Sequence, residues 1–272
     1  MVYSRDVFRI EQLKIVEVGL EDAEYLIKLC IPPDRWGDPL FRKGMEAKRK
    51  WVPEALERYG SVAKLAYLNS KPVGFIQYRP RTEEKLVEID CIFVPVKEHL
   101  RKGIGRSLLN ALIEDVRSKR TMSGDVSVAL ITHAFQVPGR FPQHEFYKRM
   151  GFKRVKDDDP FLLYYPLSEG YVPAPREERF IPQEEDRGKV LIFQSPSCPW
   201  SIYFSEKIKE SIREFAPDIP VRMIDMFWEQ EEARKRGEAP PAAVNGIPIK
   251  SFFMDKVNFE REVKQAIKHG SE

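Results

Sequence analysis

The sequence predicts a mixed-sheet α/β fold followed by a second, smaller α/β domain. Three observations lead there. Strand-like apolar runs alternate with amphipathic helical stretches along most of the 272 residues. A proline- and charge-rich stretch, Ser168 to Gly188, breaks that pattern. A second strand–helix–strand pattern then opens with VLIFQS at Val190. The expected division is 1–167 for the first domain, 168–187 for a linker and 188–272 for the second domain.

The elements follow in order. Leu13 to Val18 reads as a first strand. GLEDAEYLIKLC is a helix with acidic residues in its first turn, which suits the helix dipole, and Ile31-Pro32-Pro33 ends it. Asp34 to Tyr59 is charged and partly helical, with Pro53 expected to interrupt. Val62 to Tyr67 and Pro72 to Tyr78 form a hairpin around Asn69-Ser70-Lys71. Leu86 to Val94 and Asp125 to Thr132 are further strands, and Ala134 to Gln143 is a loop. HEFYKRMGFKRV is a short helix stopped by Gly151, with a strand starting at Phe152. Beyond the linker come a helix from PSCPWS, the strand IPVRMIDM, the helix EQEEARKR, and a hairpin turned at Asn245-Gly246. A closing helix has Asn258 as its expected N-cap.

Composition narrows the function classes. A hydrophobic share of 42% supports true cores, and 32% charged residues suit a soluble protein. The net charge of +3 is slight and gives no case for nucleic acid or a membrane surface. The longest apolar runs are strand-sized, so no transmembrane helix is expected. The start MVYSRDVFRI lacks the apolar core of a signal peptide. Three scattered cysteines make neither a disulfide framework nor a zinc site. A cytoplasmic protein without a metal is expected.

The segment from Leu86 to Val116 is the most telling. LVEIDCIFV runs into the basic turn KEHLRKGIGR and then into SLLNALIEDV. Ile104, Leu108, Leu109, Leu112, Ile113 and Val116 share one helix face, which should pack on a sheet and hold the turn rigid. The first N–H groups of a helix lack internal partners and lie at its positive end, so anions bind there. Gly103 and Gly105 let a ligand approach the backbone. Lys97, Arg101, Lys102 and Arg106 add positive charge. Together these features suggest a phosphate-bearing cofactor.

LRKGIGRSLL followed later by FYKRMGF resembles the two signature segments of the GCN5-related N-acetyltransferases, the GNAT superfamily. The resemblance covers roughly residues 10 to 167. It departs at Leu100, where the family prefers Gln or Arg, with Arg101 following. The resemblance implies acetyl-CoA as cosubstrate and direct transfer to an amine. It implies pyrophosphate contacts at Arg101, Lys102, Gly103, Ile104, Gly105, Arg106 and Ser107. Backbone N–H groups around Phe93 and Val94 would receive the acetyl carbonyl and the pantetheine amides.

Tyr147 is the candidate proton donor to the departing thiolate, since a phenol titrates near 10 and a thiol near 8.5. Glu88 is the candidate general base, with Asp90 and His133 as rivals. Alternation along the strand puts Glu88 with Asp90 and Ile92, and Ile89 with Cys91 and Phe93. In the resembling family the 34–59 region lies over the acceptor pocket, so Trp36, Phe41, Trp51 and Tyr59 either touch substrate or pack the helices onto the sheet; packing is the expectation. The acceptor stays open: a small molecule, an antibiotic, a protein N-terminus or a lysine.

The second domain resembles a small thioredoxin-like domain over residues 188 to 270. The matching features are a strand, Cys198-Pro199-Trp200-Ser201 at a helix start, and Pro240 or Pro241 ahead of a hairpin. Ser201 replaces the resolving cysteine, so Cys198 acts as a monothiol or the domain serves for docking. An acetyltransferase domain with such a tail is similar to the YoaP-type acetyltransferases. The rival to acetyl transfer is a redox or docking protein using Cys198, whose first domain senses acetyl-CoA.

Overall fold

The computed structural model describes residues 13–118, 126–135, 141–174 and 179–269. Asp125, the middle of the loop expected over Ala134–Gln143, and part of the expected linker lie outside these. The contacts cluster into two compact units. One takes residues up to 30 and 52–175; the other takes 31–51 and 176–272.

The first unit is built on a seven-stranded sheet. Its elements are β1 (Leu13–Glu17), α1 (Ala23–Lys28), the C-terminal part of α2 (Pro39–Tyr59), β2 (Ala63–Leu68), β3 (Lys71–Arg81) and β4 (Leu86–Phe93). They continue with α3 (Ile104–Ser118), β5 (Ala129–His133), α4 (Gln143–Arg149), β6 (Lys153–Arg154) and β7 (Leu162–Pro166). The strand order is β1-β2-β3-β4-β5-β7-β6. The first four strands form an antiparallel meander; β4 and β5 pair parallel, through the crossover helix α3. The mixed sheet is the expected one.

Local chemistry explains much of it. Asn69 and Ser70 both take positive φ and close the expected β2–β3 hairpin in two residues. The apolar face of α3 buries Ile104, Leu108, Leu109, Leu112 and Ile113, with Val116 partly covered. Full burial of each such side chain is worth about 1.5–3 kcal/mol. These pack against Val73, Ile76, Val87 and Ile89 of the sheet, which fixes the start of α3. Buried Lys64 ties α3 to β2 through Asp115 and reaches Glu17 at 3.5 Å.

Two expectations fail in this region. Pro53 does not interrupt α2, which runs unbroken through it. Trp51, Val52 and Ala55 around the proline are buried, and packing outweighs the lost backbone donor. Simple alternation along β4 also fails. The ladder to β3 steps from Gln77↔Cys91 to Tyr78↔Ile89, so Asp90 is an extra, bulged residue. The bulge moves Ile92 onto the core face of Val87 and Ile89, whereas Glu88 and Asp90 both meet Arg79 from the other face.

The second unit holds a four-stranded sheet of order β11 (Ile247–Pro248), β10 (Ala242–Val244), β8 (Val190–Gln194), β9 (Val221–Asp225). Its helices are α5 (Pro199–Phe215), α6 (Gln230–Arg234) and α7 (Lys256–His269). β8 and β9 pair parallel, and β10 is antiparallel to both β8 and β11. Asn245 and Gly246 take positive φ in the expected hairpin turn. The side-chain amide of Asn245 also accepts from Gly188 N and donates to Ala266 O. Asn258 is not the cap of α7: Asp255 precedes the helix and accepts from the Asn258 backbone N–H at 3.3 Å.

Within this unit, Phe41 stacks on Tyr203 at 4.5 Å and meets Trp200 edge-on at 4.7 Å. Trp51 meets Phe227. The expectation that these two aromatics pack the helices onto the first sheet is therefore corrected; their ring partners lie between residues 200 and 227. Part of the expected linker is packed as well. Phe180 bridges to Gly237, and Asp186 is fully buried against Arg236. Burial of a paired charge holds the segment down. Among the described residues no helix is long and apolar enough to cross a membrane.

Candidate active site

The turn ahead of α3 has the geometry its residues dictate. Gly103 has φ +83°, and a Cβ there would meet nothing within 4 Å, so glycine serves the backbone conformation. Arg101 also has positive φ, unusual for a residue with a side chain. Ser107 N donates to Gly103 O, the first bond of the helix. The N–H groups of Ile104, Gly105 and Arg106 thus precede any intrahelical acceptor. Ile104 is buried and anchors the turn, while Arg101, Lys102, Gly103 and Arg106 are exposed. A Cβ at Gly105 would sit 3.6 Å from the Phe146 ring, an ordinary contact.

Next to this turn the sheet opens. The β4–β5 ladder runs from Leu86↔Ala129 to Ile89↔Thr132, yet β4 continues to Phe93. From the Asp90 bulge onward β4 keeps its pairing with β3 only. The gap thus begins at the bulge and faces the N-terminus of α3. Gly74 of β3 supports its other side: a Cβ there would stand 3.0 Å from Phe93 O and 3.1 Å from Val94 Cγ2.

Tyr147 lies in the core on the α3 face of the sheet, fully buried, with Phe146 and Phe152 rings at 5.4 and 4.9 Å. Its hydroxyl has no hydrogen-bond partner among the described residues. Burial raises its pKa; the Thr132 side chain, close by but outside good hydrogen-bond geometry, opposes the rise, and the nearby Cys91 and Asp90 add to it.

Glu88 is placed differently. Its Oε2 accepts from Arg79 Nη2 at 2.9 Å and lies 3.6 Å from Arg81 Nη1; Arg79 Nη1 holds Asp90 at 3.0 Å. Asp90, and then Glu88, keep the Arg79 guanidinium firmly charged. Glu88 and the Tyr147 ring therefore lie on opposite faces of the sheet. His133 is exposed at the end of β5.

A family model described as Acetyltransferase (GNAT) family matches residues 25–152. This chain carries a GNAT acetyltransferase domain. Among solved structures, PaiA N-acetyltransferase from Thermoplasma acidophilum, in complex with coenzyme A, is 18% identical, covers 57% of this chain and 99% of its own, and has a TM-score of 0.43. A GNAT-family acetyltransferase from Staphylococcus aureus is 18% identical over 58% of this chain and 100% of its own, with a TM-score of 0.45. The C-terminal region is thioredoxin-like. A protein of Methanothermobacter thermautotrophicus described as "Probable Thioredoxin" is 30% identical over 81 residues, 27% of this chain and 95% of the relative. One of Methanothermobacter marburgensis with the same description is 34% identical over 61 residues, 22% and 72% of the two chains.

In the thioredoxin-like region, Cys198 stands at the N-cap of α5 and is half-buried. Ser201 Oγ accepts from Ser195 N at 2.9 Å, so the hydroxyl in the resolving position braces the loop ahead of the helix. No group of three His, Cys, Asp or Glu side chains suited to a metal occurs among the described residues.

In the acetyltransferase domain Phe93 and Val94 lie where β4 has left β5, the Gly103 turn leads into α3, and Tyr147 is buried near Thr132, Cys91 and Asp90. Arg79, Gln143 and Gly74 escaped notice. Arg79 had a signal, as a basic residue directly after the buried stretch 73–78 of β3. The other two had none, because their roles depend on strands brought together by the fold.

Proposed function

We propose that the acetyltransferase domain transfers an acetyl group from acetyl-CoA directly to an amine. One observation carries this reading: β4 leaves β5 at the Asp90 bulge, and the segment after β4 leads into an exposed glycine turn at the start of α3. A pantetheine arm is an extended chain with amides, so it suits a gap between two strands. A diphosphate suits the turn. Acetyl transfer is assigned to the 1–167 domain and a separate role to 188–272, with 168–187 joining them.

The chain's own groups divide the chemistry. Backbone N–H groups at Phe93 and Val94 orient and polarise the acetyl carbonyl. The amides from Lys102 to Arg106 hold the diphosphate, with the Ser107 hydroxyl beside them and the Arg101, Lys102 and Arg106 side chains adding charge around it. As the new C–N bond forms and the C–S bond breaks, Tyr147 supplies a proton to the sulfur. Its buried phenol stays protonated at neutral pH, which that role requires. Glu88, which shares Arg79 with Asp90, takes the amine's proton through water, with Arg79 holding its Oε2. Holding both substrates together supplies much of the acceleration.

The test is calorimetry of coenzyme A with the purified full chain, followed by an amine-acceptor screen that reads free CoA release. Micromolar binding and release with at least one amine class are expected. An absence of coenzyme A binding removes the proposal.

A further inference from the structure

Gln143, the first residue of α4, does something its position in sequence does not announce. Its Nε2 donates to Ile92 O at 3.2 Å, and its Oε1 accepts from Phe135 N at 3.2 Å. Ile92 belongs to the part of β4 that β5 no longer pairs, and Phe135 lies just past the end of β5. One carboxamide therefore spans the gap, donating to one wall and accepting from the other. A peptide unit of an intervening strand would bond in the same way.

We infer that the Gln143 carboxamide occupies the hydrogen-bonding places that an amide of the pantetheine arm takes on binding, and so sets the affinity of the acetyltransferase domain for coenzyme A. This rests on the proposed function. Without a bound arm, the bridge keeps Ile92 O and Phe135 N partnered. When the arm enters, its amide takes these partners and the Gln143 side chain swings away. The exchange trades protein–protein bonds for protein–ligand bonds of the same kind, so part of the binding energy is spent on displacement. Only the arm competes with Gln143; the nucleotide end, held at the Gly103 turn, does not.

The experiment compares the full-length chain with its Gln143→Ala and Gln143→Asn variants by calorimetry. Two probes are titrated: coenzyme A, and adenosine 3′,5′-bisphosphate, which keeps the nucleotide and lacks the arm. Asparagine is one methylene too short to span both partners, so it repeats the test if alanine perturbs folding. Both variants should bind coenzyme A about five- to tenfold more tightly, the size of one net hydrogen bond, with the bisphosphate unchanged. Unchanged or weaker coenzyme A binding in variants of a chain that itself binds coenzyme A overturns the inference. Equal tightening for both probes overturns it too, since the effect would not reside in the arm. A parent chain that binds no coenzyme A defeats the proposed function instead, which is a separate result.

Discussion

Arg79 and Glu88 stand directly opposite each other across the β3–β4 ladder, and the guanidinium of the first holds the carboxylate of the second at 2.9 Å. The same arginine also holds the bulged Asp90. A candidate base is thus built into an ion-pair cluster rather than left free. Glu88→Gln should lower kcat by about a hundredfold if this carboxylate receives the amine's proton. The binding of coenzyme A should not change. An unaltered kcat would assign deprotonation to solvent.

Tyr147→Phe removes only the unpartnered hydroxyl. It should cut acetyl transfer by about two to four orders of magnitude while sparing coenzyme A affinity. Activity equal to the parent excludes Tyr147 as proton donor. The same group makes a prediction about pH. Its folded pKa is raised above the ordinary 10.0, so the folded chain holds the proton more strongly than the unfolded chain. The stability contribution is full below about pH 10 and falls as pH rises above it. Tyr147→Phe should flatten the alkaline loss of stability in chemical unfolding curves between neutral pH and about 11. An unchanged slope counts against the assignment.

Arg236 and Asp186, both fully buried, form the pair that binds the 179–187 segment into the second unit. Arg236→Met leaves Asp186 as an unpaired buried charge, and about 3–5 kcal/mol of that unit's stability should disappear. Arg236→Met with Asp186→Leu should recover most of it, which urea unfolding can read. The neighbouring Glu232 is held down to about 2, first by Lys235 and then by Arg236. A depressed carboxylate stabilises the fold above its ordinary 4.5 and stops doing so as pH falls toward 2. Thermal melts between those values should show that loss, and Glu232→Gln should blunt it.

Gly44 offers a test of packing in which the usual sign is reversed. Alanine normally stabilises a helix interior over glycine by about 0.5–1 kcal/mol. At Gly44 a Cβ would come within 2.7 Å of Pro199 O and 2.8 Å of its Cα. Both atoms are backbone of α5 and cannot swing aside. Gly44→Ala should therefore destabilise by about 1–3 kcal/mol. A stabilised variant would mean that these two helices are not in close contact.

The sequence alone determined the local features. Asn69-Ser70-Lys71 and Asn245-Gly246 mark the two hairpin turns. The spacing of Ile104, Leu108, Leu112 and their neighbours marks the buried face of α3. Gly103 and Gly151 mark the start of α3 and the end of α4. Each depends on residues within a few positions of one another, where steric limits and helical periodicity act directly. Only the tertiary structure decided the rest. The extra residue at Asp90 exists relative to β3, so alternation within β4 could not reveal it. The Gln143 bridge needs Ile92 and Phe135 at the two edges of a gap. The Arg236–Asp186 pair and the aromatic partners of Phe41 join residues far apart along the chain. Such contacts arise only when distant segments are folded together, and a single chain read from end to end carries no record of which partner each side chain will meet.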